Sequence, residues 1–490
     1  MSEGVIGIDL GTTRVKVGVF GIEGAQVASA HRAYGLIEPG PAGWFEQDPE
    51  QWWAASRDAI REAIAASVAT RIVGLCVVGQ GPSIVAVDDR GAAVTNALIW
   101  MDRRCEAERA RLAARLGRDV SEYAATPKAS WLRQERPEAY ARTRWFLQAW
   151  DYIAFRLTGT AVSSSFRGGI VFPSELVAAG DLAAHRFPPQ LAMGEVGGTL
   201  LPAVARELGL PVEALPVAGG VNDSTASVLG IGILRRGLAL DLGGTSGGLG
   251  LAWDAPLAGP GITMWPLPKR GLYICGGPLA AAGTSLEWLL ATFGYGAAGA
   301  EAAFAEAASV PPGAAGLVFL PYLAGERTPI WDDQARGVLF GLTGRHSRAH
   351  VARAVLEGVA FALRHIAESL RDAGGTIDEL RVSGGQAKGA LWNQIKADVL
   401  GTTVAVPSVT EGALSGAAIL AAAGAGRMPD PIAAAERFVR IVERLEPRPT
   451  AGTVYAERYG TYRELYPRLR DLMADGGGRG AQSGAAPRID

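Results

Sequence analysis

The chain has 490 residues, 48% of them hydrophobic, and its 47 Lys and Arg residues nearly balance 49 Asp and Glu residues, for a net charge of −2. This length predicts two large domains or three smaller ones, and the near-neutral charge argues against binding to nucleic acid or to an anionic membrane. The 65 glycines follow no Gly-X-Y period, which excludes a collagen-like chain and indicates many turns. Three scattered cysteines, a start without signal-peptide character and the lack of a long apolar run predict a soluble, cytoplasmic protein.

The chain opens with a predicted β-hairpin. Residues 5–9 and 15–20 are short β-rich runs, and Gly11-Thr12-Thr13 separates them as a small turn with two hydroxyl groups. Further along, Asp48-Pro49 is typical of a helix start, and residues 72–78 form another strand candidate. Strand and helix candidates continue to alternate, which predicts an α/β fold.

The opening pattern recurs near the middle of the chain. Residues 215–218 form a strand candidate, Gly219-Gly220 follows as a turn, and a helix is predicted to begin at Asp223. After it, residues 240–246 repeat the apolar-Asp-Leu-Gly-hydroxyl order of residues 8–13. We therefore predict two related lobes that meet near residue 238.

The second lobe contains a predicted long amphipathic helix. Apolar residues recur at steps of three and four from Val351 to Leu370, and Ser347 is placed to cap the start of the helix. Residues 380–383 indicate a strand that leads into Gly384-Gly385. The polar, glycine-rich stretch from Gly476 predicts a frayed tail.

The two hydroxyl-bearing turns suit phosphate binding, because turn N–H groups form a concavity for anions and hydroxyl groups add donors. Asp9, which ends the first strand, could hold Mg²⁺ through water. The alternative is that both segments are ordinary hairpin turns. A G-x-x-x-x-G-K-[ST] phosphate loop is excluded, since none of the five lysines follows a glycine. A dinucleotide site is disfavoured, because the turns lead into strands rather than helices.

Asp223 is the candidate general base. A carboxylate at a strand-to-helix turn can accept a proton from a substrate hydroxyl, although an aspartate there can equally serve as a helix N-cap. His346 and His350 lie four residues apart, but neither an adjacent glutamate nor a third ligand accompanies them, so a zinc site is disfavoured.

Several ordered motifs resemble the FGGY family of carbohydrate kinases, and within it xylulokinases most of all. The resemblance runs from residue 5 to about residue 470. The motifs are GIDLGTTRVKVGVF, WFEQDPEQWW, LIWMDRR, DYIAFRLTG, VAGGVNDSTASVLGIG, LDLGGTSG, FLPYLAGERTPIWDDQARGVLFGLT, VSGGQAKGALWNQIKADVLG and EGALSGAAILAA.

This resemblance implies two ribonuclease-H-like lobes of the actin-like ATPase kind around an ATP and sugar cleft. Residues 1–238 would form the N-terminal lobe with the sugar site and the base, residues 239–475 the nucleotide-binding C-terminal lobe, and residues 476–490 a flexible tail. The implied reaction is the ATP- and Mg²⁺-dependent phosphorylation of a terminal hydroxyl of a small sugar, most simply a ketopentose such as D-xylulose.

The resemblance also assigns roles to individual residues. Asp9 would be associated with the metal and Asp223 would be the general base. ATP would be bound by Gly11, Thr12, Thr13, Gly244, Thr245, Ser246, Gly384, Gly385, Gln386 and Asn393. The sugar would be bound by Gln80, Trp100, Asp102, Arg103, Asn222 and Asp223. Residues 411–416 would lie near the adenine or serve helix packing, and Glu326, Arg327 and Pro329 would have a structural role.

One departure from the xylulokinase pattern concerns the sugar site. Xylulokinases typically carry Gln-Met-His-Gly where this chain has Gln80-Gly81-Pro82-Ser83. Because buried polar groups set sugar discrimination, kinases for ribulose, gluconate or glycerol are alternatives, as is a non-catalytic sugar or ATP sensor. Arg103 could instead pair with a neighbouring carboxylate, and a homodimer is possible.

Overall fold

The computed structural model describes residues 2–67, 70–120, 125–165, 169–211, 214–296 and 299–477, so the predicted tail beyond residue 477 lies outside the described residues. The strands are β1 Ser2–Leu10, β2 Arg14–Gly21, β3 Gln26–Ala33, β4 Glu46–Gln47, β5 Thr70–Gly79, β6 Ile84–Val87, β7 Ala97–Leu98, β8 Trp145–Gln148, β9 Ser163–Ser164, β10 Gln190–Leu191, β11 Val196–Thr199, β12 Pro216–Ala218, β13 Leu238–Asp241, β14 Gly248–Trp253, β15 Thr263–Pro266, β16 Tyr273–Pro278, β17 Val318–Leu320, β18 Val338–Phe340, β19 Glu379–Val382, β20 Thr403–Pro407 and β21 Ile441–Leu445. The α-helices are α1 Pro49–Ala65, α2 Glu106–Leu116, α3 Ala125–Glu135, α4 Pro137–Arg142, α5 Ala149–Thr158, α6 Ser174–Ala179, α7 Pro202–Leu208, α8 Asp223–Gly230, α9 Gly283–Thr292, α10 Gly299–Ala308, α11 Arg348–Asp372, α12 Ala390–Leu400, α13 Gly412–Gly424, α14 Pro431–Phe438 and α15 Pro449–Gly477.

The chain forms two compact units, and neither is continuous in sequence. The first comprises Met1–Gly232, Leu267–Lys269 and Glu411–Arg440; the second comprises Ile233–Pro266, Arg270–Thr410 and Ile441–Asp490. The single boundary expected at residue 238 therefore differs from the observed division, chiefly because Glu411–Arg440 returns to the first unit.

The first unit is built on a six-stranded sheet in the order β11-β12-β5-β1-β2-β3. The predicted opening hairpin is present, with β1 antiparallel to β2, while β5 is parallel to both β1 and β12. Side chains of β1 alternate between the two faces of the sheet. Ile6 and Ile8 share an apolar core with Trp52 of α1.

Helix α13 covers the other face of this sheet and contacts β1, β5 and α8. Its approach is close: a Cβ on Gly7 would lie 2.7 Å from the Leu414 carbonyl oxygen, and one on Gly416 would lie 2.1 Å from that of Ala226. Glycine is therefore required at both positions. Of the two roles expected for residues 411–416, the structure shows helix packing through small residues.

The second unit is built on a seven-stranded sheet in the order β15-β16-β14-β13-β19-β20-β21. Strand β13 is antiparallel to β14 and parallel to β19, β19 is parallel to β20, and β21 closes the edge antiparallel to β20. Six of its strands thus reproduce the order and direction found in the first unit, with β15 as an addition. This repeat is the structural counterpart of the recurring sequence pattern.

The predicted helix starts are present. Asp48 accepts a hydrogen bond from the Glu50 amide at the start of α1, and α11 begins after Ser347. The His350 ring also accepts a bond from the Ser347 amide, completing a capping box. In the part of the chain that the structure describes, no helix is long and apolar enough to span a membrane.

Candidate active site

The first hydroxyl-bearing turn lies between β1 and β2, and its carbonyl oxygens are all engaged by neighbouring groups. The Thr12 oxygen accepts from Gln47 Nε2 at 2.6 Å, the Thr13 oxygen from the Tyr34 amide at 3.2 Å, and the Gly11 oxygen from the Tyr34 hydroxyl. Thr13 is exposed, and Thr12 is partly exposed. The acceptors of the turn thus point into the protein, which favours an anion-binding role for the remaining donors.

The second turn, between β13 and β14, is organised in the same way. The Gly244 oxygen accepts from Gln386 Nε2 at 3.0 Å, while the Thr245 and Ser246 oxygens accept from backbone amides of Thr284 and Ala282 at 3.1 and 2.8 Å. Gly244 and Thr245 are exposed. In both turns, a buried glutamine amide holds a turn carbonyl.

The predicted Gly384-Gly385 segment lies against the second turn. A Cβ on Gly243 would lie 1.9 Å from the Ser383 carbonyl oxygen, and Gly384 has a left-handed φ of +70°. Asn393 is buried and donates to the Ala387 oxygen at 2.8 Å. The structure therefore brings Gly243–Ser246, Gly384 and Gln386 together. Asn393 instead stabilises the segment that follows Gln386, through its bond to the Ala387 oxygen.

Asp9 occupies the end of β1 and is 7% exposed. Burial raises the pKa of Asp9 to about 7, and the nearby Lys16 ammonium opposes this rise. Lys16 is the cross-strand neighbour of Asp9 on β2 and forms an ion pair with Glu411, at the start of α13. One carboxylate oxygen of Asp9, Oδ1, is buried and has no hydrogen-bond partner.

Asp223 is the first residue of α8, and Asn222 occupies the N-cap position, so the N-cap alternative for Asp223 is not what the structure shows. Its Oδ1 accepts only a local bond, from the Ser224 amide at 2.7 Å. Burial raises the pKa of Asp223 to about 6. The Asp223 charge in turn contributes to the raised pKa of Asp9, so the two carboxylates share one electrostatic environment.

Gln80 follows β5 and is 1% exposed. Its Nε2 donates to Gln47 Oε1 at 2.7 Å, whereas its Oε1 is buried without a partner. The loop after Gln80 is held by Lys128, whose ammonium donates to the Pro82 oxygen at 2.7 Å, and by Ser83, which accepts from the Trp100 amide at 3.0 Å.

The other residues expected at the sugar site differ in their surroundings. Trp100 is 41% exposed and its indole N–H donates to Thr12 Oγ1 at 2.9 Å, which connects it to the first turn. Asp102 is buried, and both of its carboxylate oxygens accept from Arg104. Arg103 is exposed. Trp100 and Arg103 are therefore exposed, while Asp102 is engaged by its neighbour.

Comparison with known proteins gives the family. The model of the N-terminal domain of the FGGY family of carbohydrate kinases matches residues 4–230, and that of the C-terminal domain matches residues 242–425. The chain belongs to the FGGY family of carbohydrate kinases. As such a kinase, it transfers a phosphoryl group from ATP to an alcohol group of a small sugar substrate.

Individual relatives of this FGGY kinase cover nearly its whole length. The xylulose kinase of Bacillus subtilis (strain 168) is 32% identical over 96% of this chain and 97% of that protein. The glycerol kinase of Gloeobacter violaceus is 30% identical over 87% of this chain and 89% of that protein. The crystal structure of xylulose kinase from Rhodospirillum rubrum superposes with a TM-score of 0.80, at 32% identity over 96% of this chain and 100% of that one. The predicted ribonuclease-H-like fold of an actin-like ATPase is thereby confirmed.

Sequence reasoning missed three residues of this FGGY kinase that organise the site. Lys16 could have been found from the hairpin, since residues facing each other across two antiparallel strands are paired. Gln47 and Lys396 lie within motifs that resemble the family, but their partners, at Thr12 and Asp241, are distant in sequence. Glu326, by contrast, matches the expected structural role, because it accepts bonds from the Ala280 and Arg327 amides.

Proposed function

We propose that this kinase phosphorylates a terminal hydroxyl of a small uncharged sugar, with a ketopentose such as D-xylulose as the first candidate, and that Asp223 is the general base. The observation that carries the proposal is the Asp223 carboxylate, which lies at a strand-to-helix turn, makes one local hydrogen bond and has a pKa raised to about 6 by burial. A base with this pKa is ionised at neutral pH and can still take a proton efficiently.

In the proposed reaction, Asp223 accepts the proton of the sugar hydroxyl while the oxygen of that hydroxyl bonds to the γ-phosphorus of ATP. The bond from that phosphorus to the bridging oxygen breaks, and ADP leaves with the electron pair. The Thr12–Thr13 turn of the first unit and the Thr245–Ser246 turn of the second are the proposed phosphate-binding segments.

Asp9 is the residue proposed to hold Mg²⁺. Its buried, unpartnered Oδ1 fits such a role, since Mg²⁺ binds through few carboxylates and keeps several waters. Within the described ranges, no group of three or more His, Cys, Asp and Glu residues could hold a metal ion. When bound, Mg²⁺ would neutralise charge on the phosphates.

Three cations of the first unit, which also contains the residues expected to bind the sugar, are engaged by protein groups, and this favours an uncharged substrate. Lys16 is paired with Glu411, Lys128 with the Pro82 oxygen, and Arg104 with Asp102 and Glu46. A sugar acid would need a cation of its own, and Arg103 is an exposed residue that could supply it. The names of the relatives support a xylulose kinase first and a glycerol kinase second.

A coupled ADP-release assay over ketopentoses, polyols and aldonates tests the proposal. We expect turnover with a ketopentose, weaker turnover with polyols, and none with aldonates. Turnover of aldonates that is lost in Arg103→Ala would instead assign a sugar acid. Thermal stabilisation by ATP without ADP release on any sugar would favour a sensor. A homodimer and a cytoplasmic location remain predictions.

A further inference from the structure

A lysine is fully buried in the second unit, next to the proposed phosphate turn. Lys396 lies on α12 and is 0% exposed. Its ammonium is 2.5 Å from Asp241 Oδ2 and 3.3 Å from Gln386 Oε1, and it lies 4.8 Å from the centre of the Trp392 ring. A lysine is rarely buried to this extent unless it is paired.

The partners of Lys396 connect the two segments proposed to bind ATP. Asp241 ends β13, directly before the turn that contains Thr245 and Ser246. Gln386 follows Gly384-Gly385 and uses its Nε2 to hold the Gly244 oxygen at 3.0 Å. Lys396 donates a hydrogen bond to Gln386 Oε1. Because this fixes the orientation of the Gln386 amide, its Nε2 faces the Gly244 oxygen.

Lys396 also neutralises the negative charge of Asp241. The Asp241 side chain is 1% exposed, so water does little to screen it. An unpaired carboxylate at this position would oppose the negative phosphates of ATP, and leaving one buried charge without its partner is costly. Lys396 cancels the charge without being exposed to the ligand.

We propose that Lys396 is a positioning residue for the ATP phosphates: it neutralises Asp241 and orients Gln386, which fixes the turn that carries Thr245 and Ser246. This inference rests on the proposed phosphate-binding role of that turn. Lys396 itself is buried and does not contact ATP.

The test compares Lys396→Met, Asp241→Asn and the double variant by kcat, KM for ATP and KM for sugar, together with direct binding of a non-hydrolysable ATP analogue. We expect Lys396→Met to raise KM for ATP and the dissociation constant of the analogue at least tenfold, while KM for sugar changes less than twofold. The double variant, in which both charges are gone, should recover most of this loss. Lys269→Met, which removes a surface lysine of the first unit, is the control.

Each outcome bears on the inference. A folded Lys396→Met variant with unchanged KM for ATP overturns it, as does a double variant no better than Lys396→Met. If Lys396→Met does not fold, the double variant decides: near wild-type affinity for the analogue supports the inference, and affinity at least tenfold weaker overturns it. Thr245→Ala and Ser246→Ala separate the two proposals, because unchanged ATP affinity in both would refute the phosphate role of the turn itself.

Discussion

Asp9 and Lys16 face each other across the first hairpin of the protein, and Lys16 also pairs with Glu411, which lies 395 positions away in the sequence. The carboxylate of Asp9, which is proposed to hold the metal, therefore lies beside a cation. The position of that cation depends on the first hairpin and on the Glu411–Arg440 segment. The Lys16 ammonium lowers the pKa of Asp9 against the effect of burial, whereas the Glu411 carboxylate raises it.

Lys16→Met should shift the activity profile towards higher pH. Without the ammonium, the pKa of Asp9 should rise above its present value of about 7, so that less Asp9 is ionised at neutral pH. The measurement is the rate at limiting Mg²⁺ from pH 6 to pH 9, with Lys269→Met as the control. An unshifted profile would show that Lys16 does not act through Asp9.

Asp223→Asn should reduce kcat on the order of 10²- to 10⁴-fold, since the amide cannot take the proton. The two side chains are nearly the same size, so the melting temperature and the affinity for an ATP analogue should be unchanged. Asp89→Asn, at an exposed position, is the matched control. Near wild-type turnover by Asp223→Asn would refute the assignment of the base.

At saturating Mg²⁺, which would keep Asp9 ionised, the wild-type enzyme should lose activity as the pH falls through about 6. Burial raises the pKa of Asp223 to this value, and only the ionised carboxylate is a base, so kcat/KM for the sugar should fall about tenfold per unit at lower pH. Steady-state rates between pH 5 and pH 7.5 measure this acid limb of the pH–rate profile. If the residual activity of Asp223→Asn showed the same limb, another group would be responsible.

Gln47→Leu should weaken both the proposed sugar site and the proposed phosphate turn. The change removes the partner of the buried Trp52 indole N–H, the partner of the Thr12 oxygen and the shorter of the two bonds of Gln80 Nε2. A buried polar group left unpaired costs about 1–3 kcal/mol. We expect KM for the sugar to rise at least tenfold and the melting temperature to fall. Gln26→Leu, at an exposed strand position, should do neither. Equal effects of the two variants would contradict the prediction.

Lys128→Met should change how stability depends on pH. Burial lowers the pKa of Lys128 to about 8, below the ordinary value of 10.5, so between these values the unfolded chain binds more protons than the folded one. The contribution of Lys128 to the free energy of unfolding therefore rises with pH across this window, by about 3 kcal/mol at most. Melting temperatures of both proteins from pH 7 to pH 10 should show a growing advantage of the wild type, and a constant difference would contradict this.

Local patterns predicted the elements well. The hairpin around Gly11-Thr12-Thr13, the start of α1 after Asp48 and the start of α8 at Asp223 are all as expected, because turn residues and caps act over a few positions. The repeat of the Asp-Leu-Gly pattern also predicted two related lobes, and each of the two units is built on a sheet of the same strand order.

Long-range relationships could not be predicted in this way. Helix packing was one of two roles expected for residues 411–416, but the sequence does not say which sheet the helix covers, and the structure places α13 on β1 and β5. The roles of Gln47 and Lys396 depend on partners brought close by the fold, and no local rule relates such positions. Asp102 was expected to bind the sugar, whereas in the structure its carboxylate accepts hydrogen bonds from Arg104, two residues later. The role of Asp102 in sugar binding stays a prediction.

The return of Glu411–Arg440 to the first unit has a consequence for biosynthesis. While the ribosome is still translating the middle of the chain, the face of β1 and β5 that α13 will cover remains bare. Strand β21 and helix α15 of the second unit are made later still. A fragment ending at residue 232 lacks α13, so it would expose the apolar face of β1 and β5 and would be prone to aggregate.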